Sequence, residues 1–223
     1  MSLVQVERAA KHYWLGKTEV HALRGVSLTV NKGEFLAIAG PSGSGKTTLL
    51  NLIGCIEQPT AGRVELDGMD VGELPSDQLA ELRSRAIGFI FQTFNLLPVL
   101  TALENVEYPL LLQPLDAQTR TARAKQALHH VGLSKFAKHR PMELSGGQRQ
   151  RVAIARAIAT SPLLILADEP TANLDRATGQ DILELMKDLN QSQQMTFIFS
   201  THDPKVMHLA RRVIHLADGV VES

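Results

Sequence analysis

One cysteine in 223 residues, Cys55, excludes an intramolecular disulfide and suits a reducing compartment. Its place in an apolar run marks it as packing, not as a reactive thiol. An excess of either charge is also missing. Lys plus Arg and Asp plus Glu number 23 each, so the charge balance points neither to nucleic acid nor to an anionic membrane. No stretch approaches the roughly 18 uninterrupted apolar residues of a bilayer-spanning helix, so any span is expected from another chain. Residues 1–7 lack a basic segment leading into an apolar core, and no signal peptide is expected. Internal repeats, low-complexity tracts and long linkers are absent, which leaves one large α/β domain or a core with a modest insertion.

Against these absences, residues 40–47 read Gly-Pro-Ser-Gly-Ser-Gly-Lys-Thr, a complete G-x-x-x-x-G-K-[ST] loop. The β-leaning run Glu34–Ala39 leads in and the helix-prone run Thr47–Ile53 leads out, the context the loop requires. Gly40, Gly43 and Gly45 let the backbone curl so that N–H groups, with Ser42, Ser44 and Thr48 among them, surround phosphate oxygens. The helix that follows adds the positive end of its dipole. Lys46 is expected to reach the β- and γ-phosphates, and Thr47 to ligate Mg²⁺. The expected ligand is a nucleoside triphosphate.

Strands are expected at 3–8, 22–30 and 34–39, with Ser27–Val30 alternating as in a half-exposed sheet. An antiparallel piece at 63–72 is interrupted at Asp67-Gly68; a helix at 77–85 and a strand at 87–91 follow. From about 93 to 160 helical patterns dominate, which reads as an insertion. Strands return at 163–167, 196–200 and 213–216, the last expected strand, with a helix at 176–190. Strands alternating with helices around a helical block predict a parallel α/β core with one insertion.

Leu163–Ala167 delivers Asp168 and Glu169 to the C-terminal end of a strand, where ligands bind in open α/β sheets. Asp168 suits the Mg²⁺ shell and Glu169 the general base that polarises the attacking water. A second device is Leu144-Ser145-Gly146-Gly147-Gln148 before an Ala-rich helix, where Ser145 is an N-cap and the glycines bare the first turn. Its N–H groups form a second anion site with no second phosphate loop to serve, so this site is expected to close over the nucleotide of another protomer.

In this set and order the chain resembles the ATPase subunit of ATP-binding cassette (ABC) systems, over essentially its whole length. Gln92 matches the family's Q-loop, Ser145–Gln148 its signature, Asn173-Leu174-Asp175 its D-loop and His202 its switch histidine. The resemblance implies a P-loop NTPase core of parallel sheet and helices, an antiparallel β subdomain and an inserted helical subdomain. It implies one cassette domain over 1–223, with the core at 1–92 and 161–223 and the helical part at about 93–160. It implies ATP and Mg²⁺ as ligands, with Gln92 at the metal or the attacking water, His202 on the γ-phosphate and Glu169, and Asp175 among the nucleotide-binding residues. It also implies an aromatic stacked on adenine, for which Tyr13 is the candidate and the adjacent Trp14 the alternative. The other seven histidines, His129 and His130 included, show no ligand spacing along the chain. Relatives read Thr-Gly-Asn-Leu-Asp where this chain has Ala172, which requires a negative φ there.

The run Ile87–Pro98 with Leu100–Val106 is similar to the lipoprotein-releasing and macrolide-exporter branch of the family. That implies a homodimer, or a dimer with a similar ATPase. It further implies an integral membrane permease with a large extracytoplasmic domain, and a place on the cytoplasmic face of a bacterial plasma membrane. Phe91, Phe94, Leu96, Leu97, Leu100 and Tyr108, rimmed by Glu104 and Glu107, are candidates for the groove that receives the permease. Two other readings stand beside it. A soluble ABC protein of chromosome maintenance would need long heptad arms or zinc-binding cysteines, which this chain lacks. An ATP-sensing regulatory module is opposed by the presence of Glu169 and His202.

Overall fold

The computed structural model describes residues 2–222. A two-residue turn at Gly16-Lys17 joins β1 (Ser2–Leu15) to β2 (Thr18–Asn31), antiparallel strands of 14 residues each. Gly16 takes φ 64°, the left-handed backbone that so tight a hairpin needs. Both strands outrun the segments expected from sequence, but the alternation at Ser27–Val30 holds, with Leu28 and Val30 inward. β4 (Ala61–Leu66) pairs with the other edge of β1, and β5 (Met69–Asp70) folds back at Asp67-Gly68, giving an antiparallel sheet in the order β2-β1-β4-β5.

The second sheet holds β3 (Phe35–Ala39), β6 (Ile87–Ile90), β7 (Leu164–Asp168), β8 (Thr196–Thr201), β9 (Arg212–Ala217) and β10 (Val220–Glu222). Its order is β10-β9-β3-β8-β7-β6, parallel throughout except for β10. Because side chains alternate along a strand, each parallel strand feeds two cores. Leu36, Ile38, Leu164, Leu166 and Ile198 pack toward α1 (Lys46–Ile53), α2 (Ser76–Ala86) and the antiparallel sheet. Phe35, Ile165, Ala167, Phe197 and Phe199 pack toward the opposite face. There they meet α5 (Gly146–Ile158) and α6 (Arg176–Gln193), with α3 (Ala102–Glu107) and α4 (Ala117–His130) continuing the same core. Cys55 is fully buried in the first core, and burial pushes its thiol up to about 11.

Two elements were not expected. The strand 213–216 is not the last: β10 follows it through Asp218-Gly219, whose φ values of 46° and 78° make the tight left-handed turn that Asp-Gly favours. α7 (Pro204–Leu209) is a short helix capped by Asp203, which accepts from the Lys205 N–H at 2.9 Å, with Pro204 in its first turn.

Candidate nucleotide site

Parallel pairing sets Ala39 opposite Thr201 and Asp168 opposite Ser200, so the segments after β3, β7 and β8 emerge side by side. These are C-terminal strand ends, where an open α/β sheet offers a crevice. The glycine-rich loop leaves β3 here and enters α1 at Gly45, whose φ of 102° and approach to β2 both demand glycine. A Cβ there would lie 2.5 Å from the Ala22 carbonyl oxygen. The β9–β10 turn braces the loop from the other side: the Gly219 N–H donates to Ser44 O at 3.1 Å, and Arg24 N donates to Gly219 O at 2.8 Å.

Lys46 is 8% exposed, and its ammonium donates to the carbonyls of Gly40 at 2.8 Å and Pro41 at 2.9 Å. The Thr47 hydroxyl lies 3.1 Å and 3.4 Å from the two Asp168 carboxylate oxygens. Glu169 occupies left-handed backbone, φ 46°, pinned by its N–H donating to Ser200 O at 2.9 Å. Such a non-glycine conformation costs about 1–3 kcal/mol and concentrates at functional sites. His202 Nδ1 sits 2.7 Å from Glu169 Oε1, with the imidazole open to solvent and the carboxylate largely covered. Two hydroxyl oxygens, Ser44 Oγ and Ser200 Oγ, are buried here without a hydrogen-bond partner.

Between these groups lies a cleft of about 670 Å³. Its lining joins Ser42, Gly43 and residues 45–48 to Gln92, Asp168, Glu169 and His202, all singled out from sequence. Thr47 and Asp168 sharing a hydrogen bond, with the Gln92 amide in the same cleft, form an all-oxygen donor set of the kind Mg²⁺ takes. Val20, His21 and Ala22 of β2, together with Ser200, complete the wall. No local motif marks Val20 to Ala22, since only the approach of the hairpin to the loop brings β2 there. Asp-Gly at 218–219 was the available signal for the brace behind it.

Tyr13 and Trp14 do not line this cleft. Trp14 is 68% exposed, whereas the Tyr13 hydroxyl donates to Glu57 Oε2 at 2.7 Å, beside α1. Burial and the Glu57 carboxylate raise the Tyr13 phenol. Burial also pushes Glu57 up, but hydrogen bonds from Tyr13, Asn51 and Lys11 outweigh it and hold that carboxyl low.

The remaining site residues gather elsewhere. Ser145 caps α5 in a reciprocal box: its Oγ accepts from Gln148 N at 3.2 Å, and Gln148 Oε1 accepts from Ser145 N at 2.8 Å. Asp175 caps α6, accepting from the N–H groups of Ala177 and Thr178 and from the Thr178 hydroxyl, and these bonds hold its carboxyl low. The two helix starts touch. A Cβ on Gly147 would fall 2.4 Å from Thr178 Cγ2, so a side chain there would have to displace the Thr178 methyl. Ser145, Gly146, Gly147, Gln148 and Asp175 thus share one surface and take no part in lining the phosphate cleft. Ala172 has the negative φ that its side chain requires.

The expected partner groove is only partly as read. Phe91 lines a cleft with Phe89, Pro109, Leu112 and Arg156. Leu96 is half-buried and packs against the core that the helical segment shares with the parallel sheet. Leu97, Val99, Tyr108, Leu111 and Leu112 form the exposed apolar set. Glu104 is committed to the Thr101 capping box, and Glu107 accepts from Thr121. Among the described residues no helix is long and apolar enough to cross a membrane.

Comparison with known proteins agrees with this geometry. A family model described as ABC transporter matches residues 23–172. The macrolide export ATP-binding/permease protein MacB of Syntrophobacter fumaroxidans is 48% identical over 224 residues, covering 100% of this chain; the chain spans 31% of that protein. The uncharacterized ABC transporter ATP-binding protein MJ0796 of Methanocaldococcus jannaschii is 46% identical over 99% of this chain and 95% of its own length. A dimeric structure of MJ0796 in a post-hydrolysis state, bound to ADP and Pi, superposes with a TM-score of 0.91 over 99% of this chain and 97% of that one. Likeness of this extent in sequence and backbone shows that the chain belongs to the ABC transporter family, as one of its ATPase cassettes.

Proposed function

We propose that the chain hydrolyses Mg-ATP as one half of a nucleotide-sandwich dimer and drives a membrane permease of the macrolide-export or lipoprotein-release kind. The observation that carries the catalytic part is the His202 Nδ1 to Glu169 Oε1 contact of 2.7 Å at the rim of the phosphate cleft. The loop N–H groups and Lys46 neutralise the phosphates, while Tyr13 is the residue proposed to stack on adenine. Thr47, Asp168 and Gln92 would hold Mg²⁺, which when bound draws negative charge off the phosphate oxygens.

Glu169 accepts a proton from water as the water oxygen bonds to the γ-phosphorus. The bond from that phosphorus to the β–γ bridging oxygen breaks, ADP leaves, and His202 holds the Glu169 carboxylate in place. The second anion site, Ser145 to Gln148 with Asp175 beside it, completes the nucleotide site of the other protomer. The dimeric form of MJ0796 supports this arrangement, as does the separation of these residues from the cleft of their own chain.

Segment 93–160 is proposed to move as a helical unit and to receive the permease along the exposed apolar set near Leu97 and Leu112. The permease would place the cassette on the cytoplasmic face of a plasma membrane, and its extracytoplasmic domain would carry the work across. The test is capture from detergent-solubilised membranes on Glu169→Gln protein held in ATP. Recovery of a permease with few spans and a large outer domain is expected; a many-span permease or only soluble partners would reject the branch.

A further inference from the structure

We propose that His12, Glu19 and His21 form a surface site for one divalent transition-metal ion of the Zn²⁺ class, built across the β1–β2 hairpin. His12 and His21 are paired opposite each other in the register, and Glu19 lies two residues before His21, on the same face of β2. The register shifts between the pairs Lys11–Leu23 and His12–His21, so β2 advances by an extra residue at Ala22, and a bulge of this sort re-aims side chains.

The result is convergence. His12 Nδ1 lies 2.9 Å from Glu19 Oε1, and His21 Nε2 lies 3.7 Å from Glu19 Oε2. One ligand atom from each residue lies within 4.8 Å of the others, and the two imidazole centroids are 4.7 Å apart. In a tetrahedral site with bonds of about 2.0–2.1 Å, neighbouring ligand atoms sit about 3.3 Å apart, so small side-chain rotations close the triad on an ion. Two imidazoles and one carboxylate suit Zn²⁺, Ni²⁺ or Cu²⁺, whereas Mg²⁺ and Ca²⁺ prefer oxygen alone. Three protein ligands leave a fourth position for water.

The triad's side chains are 28%, 36% and 45% exposed, which gives an ion direct access. The three residues show no ligand spacing along the chain, because the spacing here runs across the strands. His21 also lines the nucleotide cleft, so an ion at this site would tie that wall to β1.

The test uses tag-free full-length protein without nucleotide, titrated with Co²⁺ and then Zn²⁺. Wild-type protein is expected to give the intense visible absorption of tetrahedral Co²⁺, displaced by one equivalent of Zn²⁺. Loss of an outer-shell partner alone weakens metal sites about 10–100-fold, so removing a ligand in His12→Thr or Glu19→Gln is expected to weaken Zn²⁺ by at least about tenfold. Both positions are solvent-facing strand sites, and circular dichroism checks that the variants fold. Zn²⁺ binding that is unchanged in both variants would place the ion elsewhere. Failure of wild-type protein to bind Zn²⁺ stoichiometrically would leave only a hydrogen-bonded cluster. Either result overturns the proposal.

Discussion

The Arg156 guanidinium donates to the carbonyl oxygen of Phe94 at 2.9 Å, and to that of Asn95 beside it. Phe94 and Asn95 both occupy left-handed backbone, with φ values of 62° and 49°, so an arginine on α5 holds a strained turn just after Gln92. The same helix reaches the carboxylate strand through Gln150, whose buried amide donates to Pro170 O at 2.7 Å. The Asn173 side chain closes the circuit by donating to Gln92 O at 2.9 Å. The helix that begins with the second anion site is thereby bonded to both sides of the phosphate cleft.

Arg156→Gln should release that turn. Hydrogen bonds to a charged group contribute about 1.5–3 kcal/mol, and Arg156 makes one to each of two carbonyls of the turn. A stability loss of about 2 kcal/mol is expected by urea unfolding. Hydrogen exchange should accelerate at 92–96 while β7 and β8 stay protected. An unchanged exchange pattern would mean that the turn holds itself.

Ser145→Arg places a large cation over the second anion site and removes a cap worth about 1 kcal/mol. Because Ser145 does not line its own chain's cleft, monomer binding of ATP is expected to persist while ATP-driven dimerisation is lost. Sedimentation velocity in a Glu169→Gln background reads this directly; dimerisation equal to the parent would refute the composite site.

Cys55 predicts a pH effect. Its folded thiol titrates near 11 against an ordinary value of 9.0, raised by burial and lowered slightly by Arg83. The raised value means that only the unfolded state loses its proton between those limits. The thiol's contribution is therefore fully present below pH 9 and is lost as pH rises toward 11. Wild type should lose more stability than Cys55→Ala across that window, and native protein at pH 8 should react with a thiol reagent only on unfolding.

Much of the cleft was legible because its parts are local. The loop at 40–47, the carboxylates at 168–169 and the cap at 145 each carry their chemistry in contiguous residues, and uniformly apolar strands such as Phe35–Ala39 announce burial on both faces. What escaped was non-local. The wall formed by Val20 to Ala22, the Gly219 brace behind Ser44 and the His12–His21 pair exist only once strands meet. β10 is the exception, since Asp218-Gly219 was a readable turn signal. Apolar character alone does not say whether a half-buried side chain such as Leu96 faces a partner or its own core.

Single-turnover hydrolysis by Glu169→Gln, alongside nucleotide binding by the same protein, tests the central claim most directly. With the proton acceptor gone and the Lys46 loop intact, ATP affinity should hold while the hydrolysis rate falls by about 10²–10⁴-fold. Hydrolysis at the parent rate would show that Glu169 is not the base and that the His202–Glu169 contact positions something else.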